Sequence, residues 1–99
     1  MKYQTWYMRP EWFREGIRGE KPDPANLDAT HIRLKDVPPM QPFEIVYTMM
    51  QGENWSPNGE ARPLIEKKGL SHTSMSVGDV IVDETGQAHI VAKSGFEPL

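Results

Sequence analysis

Hydrophobic and polar positions alternate in two segments of the first half of the chain. Residues 2–8 place Tyr3, Thr5 and Tyr7 on one side and Gln4, Trp6 and Met8 on the other. This period of two is typical of a strand, and aromatic residues on both sides predict that both faces are covered. Residues 30–35 alternate in the same way. There we predict a strand with Ile32 and Leu34 inward and a basic outer face made of His31, Arg33 and Lys35.

Helical spacing replaces alternation in the middle of the chain. Four apolar residues recur at i, i+3, i+4 and i+7, namely Phe43, Val46, Tyr47 and Met50. This stripe predicts a helix that starts near Pro42 and ends at Gly52. A second helix is predicted around residues 60–68, with its regular part starting near Pro63 and ending at Gly69. One helical turn is predicted for residues 10–16.

The last third of the chain is predicted to be β structure. The run Ser71–Asp83 indicates a short polar strand at Thr73–Ser76, a tight turn at Gly78 and Asp79, and a buried strand at 80–82. A hairpin turn around Gly86 leads into a strand at 88–92, and Phe96 closes the fold. The elements follow the order β-α-β-α-α-β-β-β. We therefore predict an α+β fold, with a small antiparallel sheet, a C-terminal β-meander and two short helices on one side.

Length, composition and charge predict one folded domain, residues 1–99. The chain has 99 residues, nine prolines and eight glycines, and 37% of its residues are hydrophobic. This predicts a small core with much ordered loop. The net charge of −3 is unevenly distributed, with +1 over residues 1–39 and −4 over residues 40–99. A broad surface for nucleic-acid phosphates is thus excluded, and a small basic patch in the first third is not.

Cysteine is absent, which excludes disulfides, cysteine zinc sites and thiol nucleophiles. No run of residues approaches the roughly 18 apolar positions of a membrane span, and the first five residues have no apolar signal core. We therefore expect a cytoplasmic protein with no membrane partner.

The segment "HTSMSVGDVIV" at residues 72–82, followed by a hairpin, an aliphatic strand and a terminal Gly-Phe, resembles the YodL-like modules of phage, plasmid and mobile-element proteins. The resemblance covers residues 71–97. The front segments "YQTWYMRPEWFREGI" and "ATHIRLKDV" are similar to small uncharacterised phage proteins. The resemblance implies a β-meander and a mobile-element origin, and it implies no catalytic residues. The Val-Gly-Asp-Val signature also occurs at strand starts in small β barrels of the PUA and ASCH kind.

Catalytic and metal-ligating patterns are weak, and we predict no catalytic residue, metal or cofactor. The three histidines, His31, His72 and His89, lack the spacing of a metal site. Ser71, Ser74 and Ser76 lie near His72 and Asp79 but lack a nucleophile elbow. We interpret Ser74, Ser76 and His72 as a polar outer face and Asp79 as a turn cap.

Aromatic and arginine residues crowd the first eighteen positions. Trp, Tyr and Arg are enriched at protein-binding hot spots and can also stack on single-stranded nucleic acid. The same aromatics could instead form the core of a small protein. Our predicted binding surface consists of Trp6, Arg9, Trp12, Arg14 and Arg18, with Trp55 from a polar turn.

We therefore expect a non-enzymatic phage or mobile-element auxiliary protein in the host cytoplasm that binds a host protein and inhibits or redirects it. The alternative is a small nucleic-acid-binding module that uses the β-meander together with Arg14, Arg33 and Lys35. A small enzyme using His31 or His72 is a third class. The chain is expected to be a monomer, or a homodimer that pairs the edge strand Thr73–Ser76.

Overall fold

A five-stranded antiparallel sheet forms the centre of the computed structural model, which describes residues 2–99. The strands are β1 (Tyr3–Met8), β2 (His31–Val37), β3 (Val80–Val82), β4 (Ala88–Ala92) and β5 (Gly95–Pro98). Their spatial order is β2-β1-β3-β4-β5. The predicted α+β class is confirmed, because the antiparallel sheet is accompanied by short helices.

The helices are α1 (Phe13–Ile17), α2 (Phe43–Met49), α3 (Gly52–Trp55) and α4 (Arg62–Lys67). A 3-10 turn at Pro10–Trp12 leads into α1, and a second one at Pro24–Ala29 lies where a loop was predicted. Pro63 lies in the first turn of α4, as its lack of an amide hydrogen requires. Gly52 was predicted to end a helix; instead it begins α3.

The two faces of the sheet bury separate apolar clusters. On one face, Tyr3, Tyr7 and Ile81 pack with residues of the helices, including Val46 of α2 and Ile65 of α4. The other face buries a smaller cluster of Leu27, Val80, Ala88 and Ile90. Because neighbouring side chains on a strand point to opposite faces, β1 and β3 each contribute to both clusters. Both faces of β1 are covered, as its sequence predicted.

Strand β2 departs from simple alternation because it contains a bulge. Thr5 pairs with Lys35 but Trp6 pairs with Arg33, so Leu34 is the extra residue. The predicted basic outer face of β2 is therefore wrong. His31 is fully buried, and Lys35 is half-buried with its Nζ 5.2 Å from the centre of the Trp55 ring.

The predicted strand at Thr73–Ser76 is also wrong, because this segment is an irregular loop packed against α2 and α3. The Met75 amide donates to the Met50 carbonyl over 3.1 Å, and the Ser74 Oγ accepts from the Gly52 amide over 2.7 Å. The segment therefore offers no free strand edge for a homodimer. The terminal strands of the sheet are β2 and β5.

Candidate functional site

The predicted turn at Gly78 and Asp79 contains a fully buried carboxylate. The Asp79 carboxylate has three hydrogen-bonding partners. The Met8 amide donates to Oδ1 and the Ser76 amide donates to Oδ2, each over 2.8 Å, and His72 Nε2 lies 3.0 Å from Oδ2. The bond from Ser76 is the turn cap that the sequence predicted. The bond from Met8 also ties this turn to β1, so the carboxylate joins two distant parts of the chain.

His72 is enclosed by aromatic rings and does not belong to a polar outer face. Its imidazole stacks on Tyr7 with ring centres 4.5 Å apart and an interplanar angle of 18°. Phe13 of α1 meets it edge-on at 4.8 Å. Only 14% of the side chain is exposed, and within residues 2–99 its buried Nδ1 has no hydrogen-bond partner. The predicted outward position of His72 beside Ser74 and Ser76 is therefore wrong.

The serines near His72 form hydrogen bonds with backbone groups. Ser74 Oγ accepts from the Gly52 amide, and Ser76 Oγ donates to the Ser74 carbonyl over 3.2 Å. Within residues 2–99, no hydrogen bond joins a serine hydroxyl to His72, although a nucleophile needs its base within that reach. The same residues contain no group of three or more histidine or acidic side chains able to hold a metal ion.

His31 connects β2 to the same turn. Its Nε2 lies 2.7 Å from the Gly78 carbonyl and therefore carries the proton, and Nδ1 accepts from the Thr30 hydroxyl at 2.7 Å. Burial lowers the pKa of His31, and the hydrogen bond to Gly78 and the charge of Asp79 oppose that shift only partly. The neutral imidazole is thus a structural hydrogen-bond bridge.

Close packing at two glycines places α1 against the turn. Gly78 has a φ of +98°, a conformation that favours glycine, and a Cβ there would overlap the Met8 sulfur and lie 3.1 Å from the Gly16 carbonyl carbon. A Cβ on Gly16 would also overlap the Met8 sulfur. Met8, Gly16 and Gly78 are therefore in close contact, and a larger side chain at either glycine would require Met8 to move. This contact packs α1 against the turn.

The predicted surface tryptophans are not brought together. Trp6 is half-buried against the Val80 cluster and donates from Nε1 to Gln4. Trp55 packs on the opposite face of the sheet, below Lys35, and donates from Nε1 to the Thr73 carbonyl over 2.8 Å. Both indoles therefore contribute mainly to the packed faces of the sheet.

The remaining predicted residues lie on or near α1. Arg9 is half-buried and donates from Nε to the Asp28 carbonyl, and Trp12 is half-buried with its ring beside Gly16. The Trp12 Nε1 is buried, and in the described part of the chain it has no hydrogen-bond partner. Arg14 and Arg18 are exposed. Only these two members of the predicted set have largely solvated side chains.

A cleft that the sequence did not predict lies beside α1. Two cavities of about 280 and 310 Å³ share the same five wall residues. These are Val77, Val91, Ala92, Lys93 and Ser94. The first cavity extends to Arg18 and Lys21, which follow α1. The second cavity extends to Tyr47 of α2 and Phe96 of β5. We call the two cavities together the basic cleft.

The basic cleft has a charge opposite to that of the whole chain. The first cavity is lined by three cationic side chains, Arg18, Lys21 and Lys93, and by one carboxylate, Glu97. Lys21 Nζ lies 3.2 Å from that carboxylate, whereas Arg18 and Lys93 form no salt bridge within residues 2–99. The cavity is thus locally positive on a protein of net charge −3. No local sequence pattern could reveal it, because Arg18 and Lys93 are far apart in the chain.

Comparisons with protein-family models, with curated proteins and with solved structures found no match to this chain. Within residues 2–99, the helices are all too short or too polar to cross a bilayer.

Proposed function

We propose that this chain is a non-enzymatic phage or mobile-element auxiliary protein that acts in the host cytoplasm by binding a host protein, which it inhibits or redirects. The mobile-element origin and the cytoplasmic location rest on the resemblance of the "HTSMSVGDVIV" segment and on the absence of cysteine. The binding role rests on the exposed side of α1. We define this α1 face as Arg14, Ile17 and Arg18.

The single observation that supports a protein partner is the exposure of Ile17 between two arginines. Ile17 is 52% exposed, and within residues 2–99 only Ile45, at 45%, is another exposed large hydrophobic residue. A single exposed isoleucine is ordinary. The two arginines beside Ile17 make it a candidate contact for a partner, because arginine is enriched at the hot spots of protein interfaces.

The rigid attachment of α1 also favours a binding role. The helix is packed against the Gly78 turn through Met8 and Gly16, and its Phe13 ring rests on His72. A surface that is already in its bound conformation loses less conformational entropy on association. The α1 face is therefore a preorganised binding surface in this proposal.

Enclosure of the His72–Asp79 pair supports the non-enzymatic part of the proposal. Catalysis by a histidine base requires that a substrate reach one of its ring nitrogens. In His72, Nε2 is bonded to Asp79 and Nδ1 is buried between Tyr7 and Phe13. This geometry favours a structural role for the pair.

Nucleic-acid binding, our alternative, has less geometric support. The basic strand face on which it depended is divided, because Arg33 pairs with Asp36 at 2.7 Å and Lys35 lies over Trp55. The test below therefore includes nuclease treatment, which would reveal a nucleic-acid partner.

The test is affinity capture from a nuclease-treated bacterial lysate with the wild-type chain, with Ile17→Asp and with Ile45→Asp. The two variants add the same charge at the two exposed isoleucines. We expect a protein that is retained by wild type and by Ile45→Asp and is lost with Ile17→Asp. Equal capture by all three chains would contradict the proposal, and so would a protein that is captured from untreated lysate but lost after nuclease treatment.

A further inference from the structure

The basic cleft lies next to the α1 face and shares Ile17 and Arg18 with it. We propose that this cleft binds an extended acidic segment of the partner protein, with a carboxylate in the first cavity and an apolar side chain in the second. This inference rests on the proposed function, because it names the kind of segment that the partner supplies. It adds the hairpin between β4 and β5 and the Phe96 ring to the binding surface.

The unpaired positive charges at the first cavity favour binding of a carboxylate there. Arg18 and Lys93 are both exposed and have no acidic partner within residues 2–99, whereas Lys21 is already paired with Glu97. Two unpaired cations on the rim of one cavity provide donors for a carboxylate. An arginine on the rim can form two parallel hydrogen bonds with such a group, which gives direction as well as attraction.

The apolar residues around the second cavity favour binding of an apolar side chain there. Val77 and Val91 lie in the wall shared by both cavities, and Tyr47 and Phe96 border the second one. The two rings are in edge-to-face contact, with centres 6.5 Å apart and an interplanar angle of 74°. A carboxylate there would face Glu44, so an apolar side chain suits this position better.

The two cavities meet at the end of the hairpin between β4 and β5, where Lys93 and Ser94 belong to both. Strand pairing places Ile90 and Glu97, which line the first cavity, on one face of the hairpin, and Phe96, which lines the second, on the other face. An extended segment that crosses Lys93 and Ser94 can reach both cavities, with a few residues between its carboxylate and its apolar side chain.

The shared wall of the cleft is held by the buried turn. The Gly78 amide donates to the Val91 carbonyl, and the Val91 amide donates to the Asp79 carbonyl, both over 2.9 Å. Val77, directly before this turn, is thus placed beside β4. A wall fixed in this way does not have to be reorganised when a ligand enters.

The same residues make a nucleic-acid strand a poorer occupant. Nucleic-acid affinity grows with the number of phosphates that are neutralised, and the cleft offers two unpaired cations. Glu97 and Glu44 also lie in its walls and would repel successive phosphates. An acidic peptide needs only one carboxylate at the basic end.

The experiment measures fluorescence anisotropy of a labelled peptide that repeats glutamate, serine, leucine and serine. Two matched peptides replace glutamate by glutamine or leucine by serine, and a labelled single-stranded DNA is the fourth probe. The protein variants are the double variant Arg18→Ala/Lys93→Ala and its charge-matched control Arg62→Ala/Lys67→Ala, whose cations are exposed on α4. All binding is measured at low salt, where screening is weakest.

We expect the glutamate–leucine peptide to bind wild type and the control equally and to lose roughly tenfold in affinity with Arg18→Ala/Lys93→Ala. Each matched peptide should also bind more weakly than the parent peptide. Equal binding by both double variants, no binding by the parent peptide, or tighter binding of the DNA would overturn the inference.

Lysate capture distinguishes this inference from the proposed function. If the captured protein is lost with Ile17→Asp but retained by Arg18→Ala/Lys93→Ala, Ile17 contacts a partner and the proposed acidic segment is wrong. If no captured protein depends on Ile17 while the peptide binds as expected, the cleft chemistry is right and the proposed host-protein role fails.

Discussion

The buried turn at Gly78 and Asp79 and the basic cleft meet at Val77, yet they use polar residues in opposite ways. In the turn, the Asp79 carboxylate accepts from two backbone amides and faces His72, all inside the protein. In the cleft, Arg18 and Lys93 are exposed without acidic partners in the described chain. A polar group with internal partners stabilises the fold, whereas one without them is available to a ligand. Substitutions in the two regions should therefore separate stability from binding.

The largest loss of stability should follow Asp79→Ala. The substitution leaves the buried amide of Met8, the amide of Ser76 and the ring of His72 without their acceptor. Removing one partner from a buried charged network costs about 3–5 kcal/mol. Urea unfolding followed by tryptophan fluorescence measures the loss. The control Asp36→Ala breaks an exposed pair with Arg33 and should cost less than about 1 kcal/mol. Equal effects would show that Asp79 does not anchor the fold.

A smaller loss is expected for Gly78→Ala, with Gly19→Ala as its control. Both glycines have positive φ, +98° and +94°, so both variants incur the left-handed cost of roughly 1–2 kcal/mol. Only at Gly78 would the new Cβ overlap Met8, which adds about 1–3 kcal/mol. The difference between the two unfolding free energies thus isolates the packing of α1 on the turn. A difference near zero would mean that this packing is loose.

Stability should fall as the pH drops through about 6.5, because burial holds the pKa of His31 below that unfolded value. In this window the unfolded chain binds a proton that the folded chain excludes, so unfolding becomes more favourable. His31→Gln should flatten the slope of unfolding free energy against pH between about 5 and 7. His89→Gln, which replaces a half-buried histidine bonded to Asp83, is the control. If the slope of unfolding free energy against pH is unchanged in His31→Gln, another titrating group must cause it.

The smallest effect on stability is expected in the basic cleft. Arg18→Ala/Lys93→Ala should change the unfolding free energy by no more than about 0.5 kcal/mol, because both side chains are exposed and unpaired in the described chain. Urea unfolding beside the wild type measures it. A loss comparable to that of Asp79→Ala would mean that these cations are structural, and the contrast between the two regions would disappear.

The sequence predicted the elements whose signals are local. The strands at Val80–Val82 and Ala88–Ala92 and the helix at Phe43 were read from periodicity and from turn residues. The positive φ of Gly69 and Gly86 also agrees with their predicted roles at a helix end and in a hairpin turn.

The errors arose where distant residues decide the local structure. Polar residues at Thr73–Ser76 imitate a strand, but their hydrogen bonds go to α2 and α3. The bulge at Leu34 turns Lys35 toward Trp55, and the Gly78 carbonyl provides the partner that allows His31 to be buried. These partners lie far away in the chain, so periodicity cannot reveal them.

The candidate site was also only partly predictable from the sequence, as the cleft and the tryptophans show. Composition pointed to the first eighteen residues, where Arg14 and Arg18 are exposed. It could not separate these arginines from Trp6, which packs against the Val80 cluster. It also could not place Lys93 beside Arg18, because only the fold brings β4 to the end of α1.

Amide chemical-shift mapping with the glutamate–leucine peptide tests most directly whether the exposed cleft, held by the buried turn, is the binding surface. The spectrum reports every backbone amide at once, so the binding site is found without assuming its position. We predict that the largest shifts fall at residues 16–21, at Val77 and at residues 92–97. Shifts centred instead on Trp6 or Trp55, or spread evenly over the chain, would contradict this assignment.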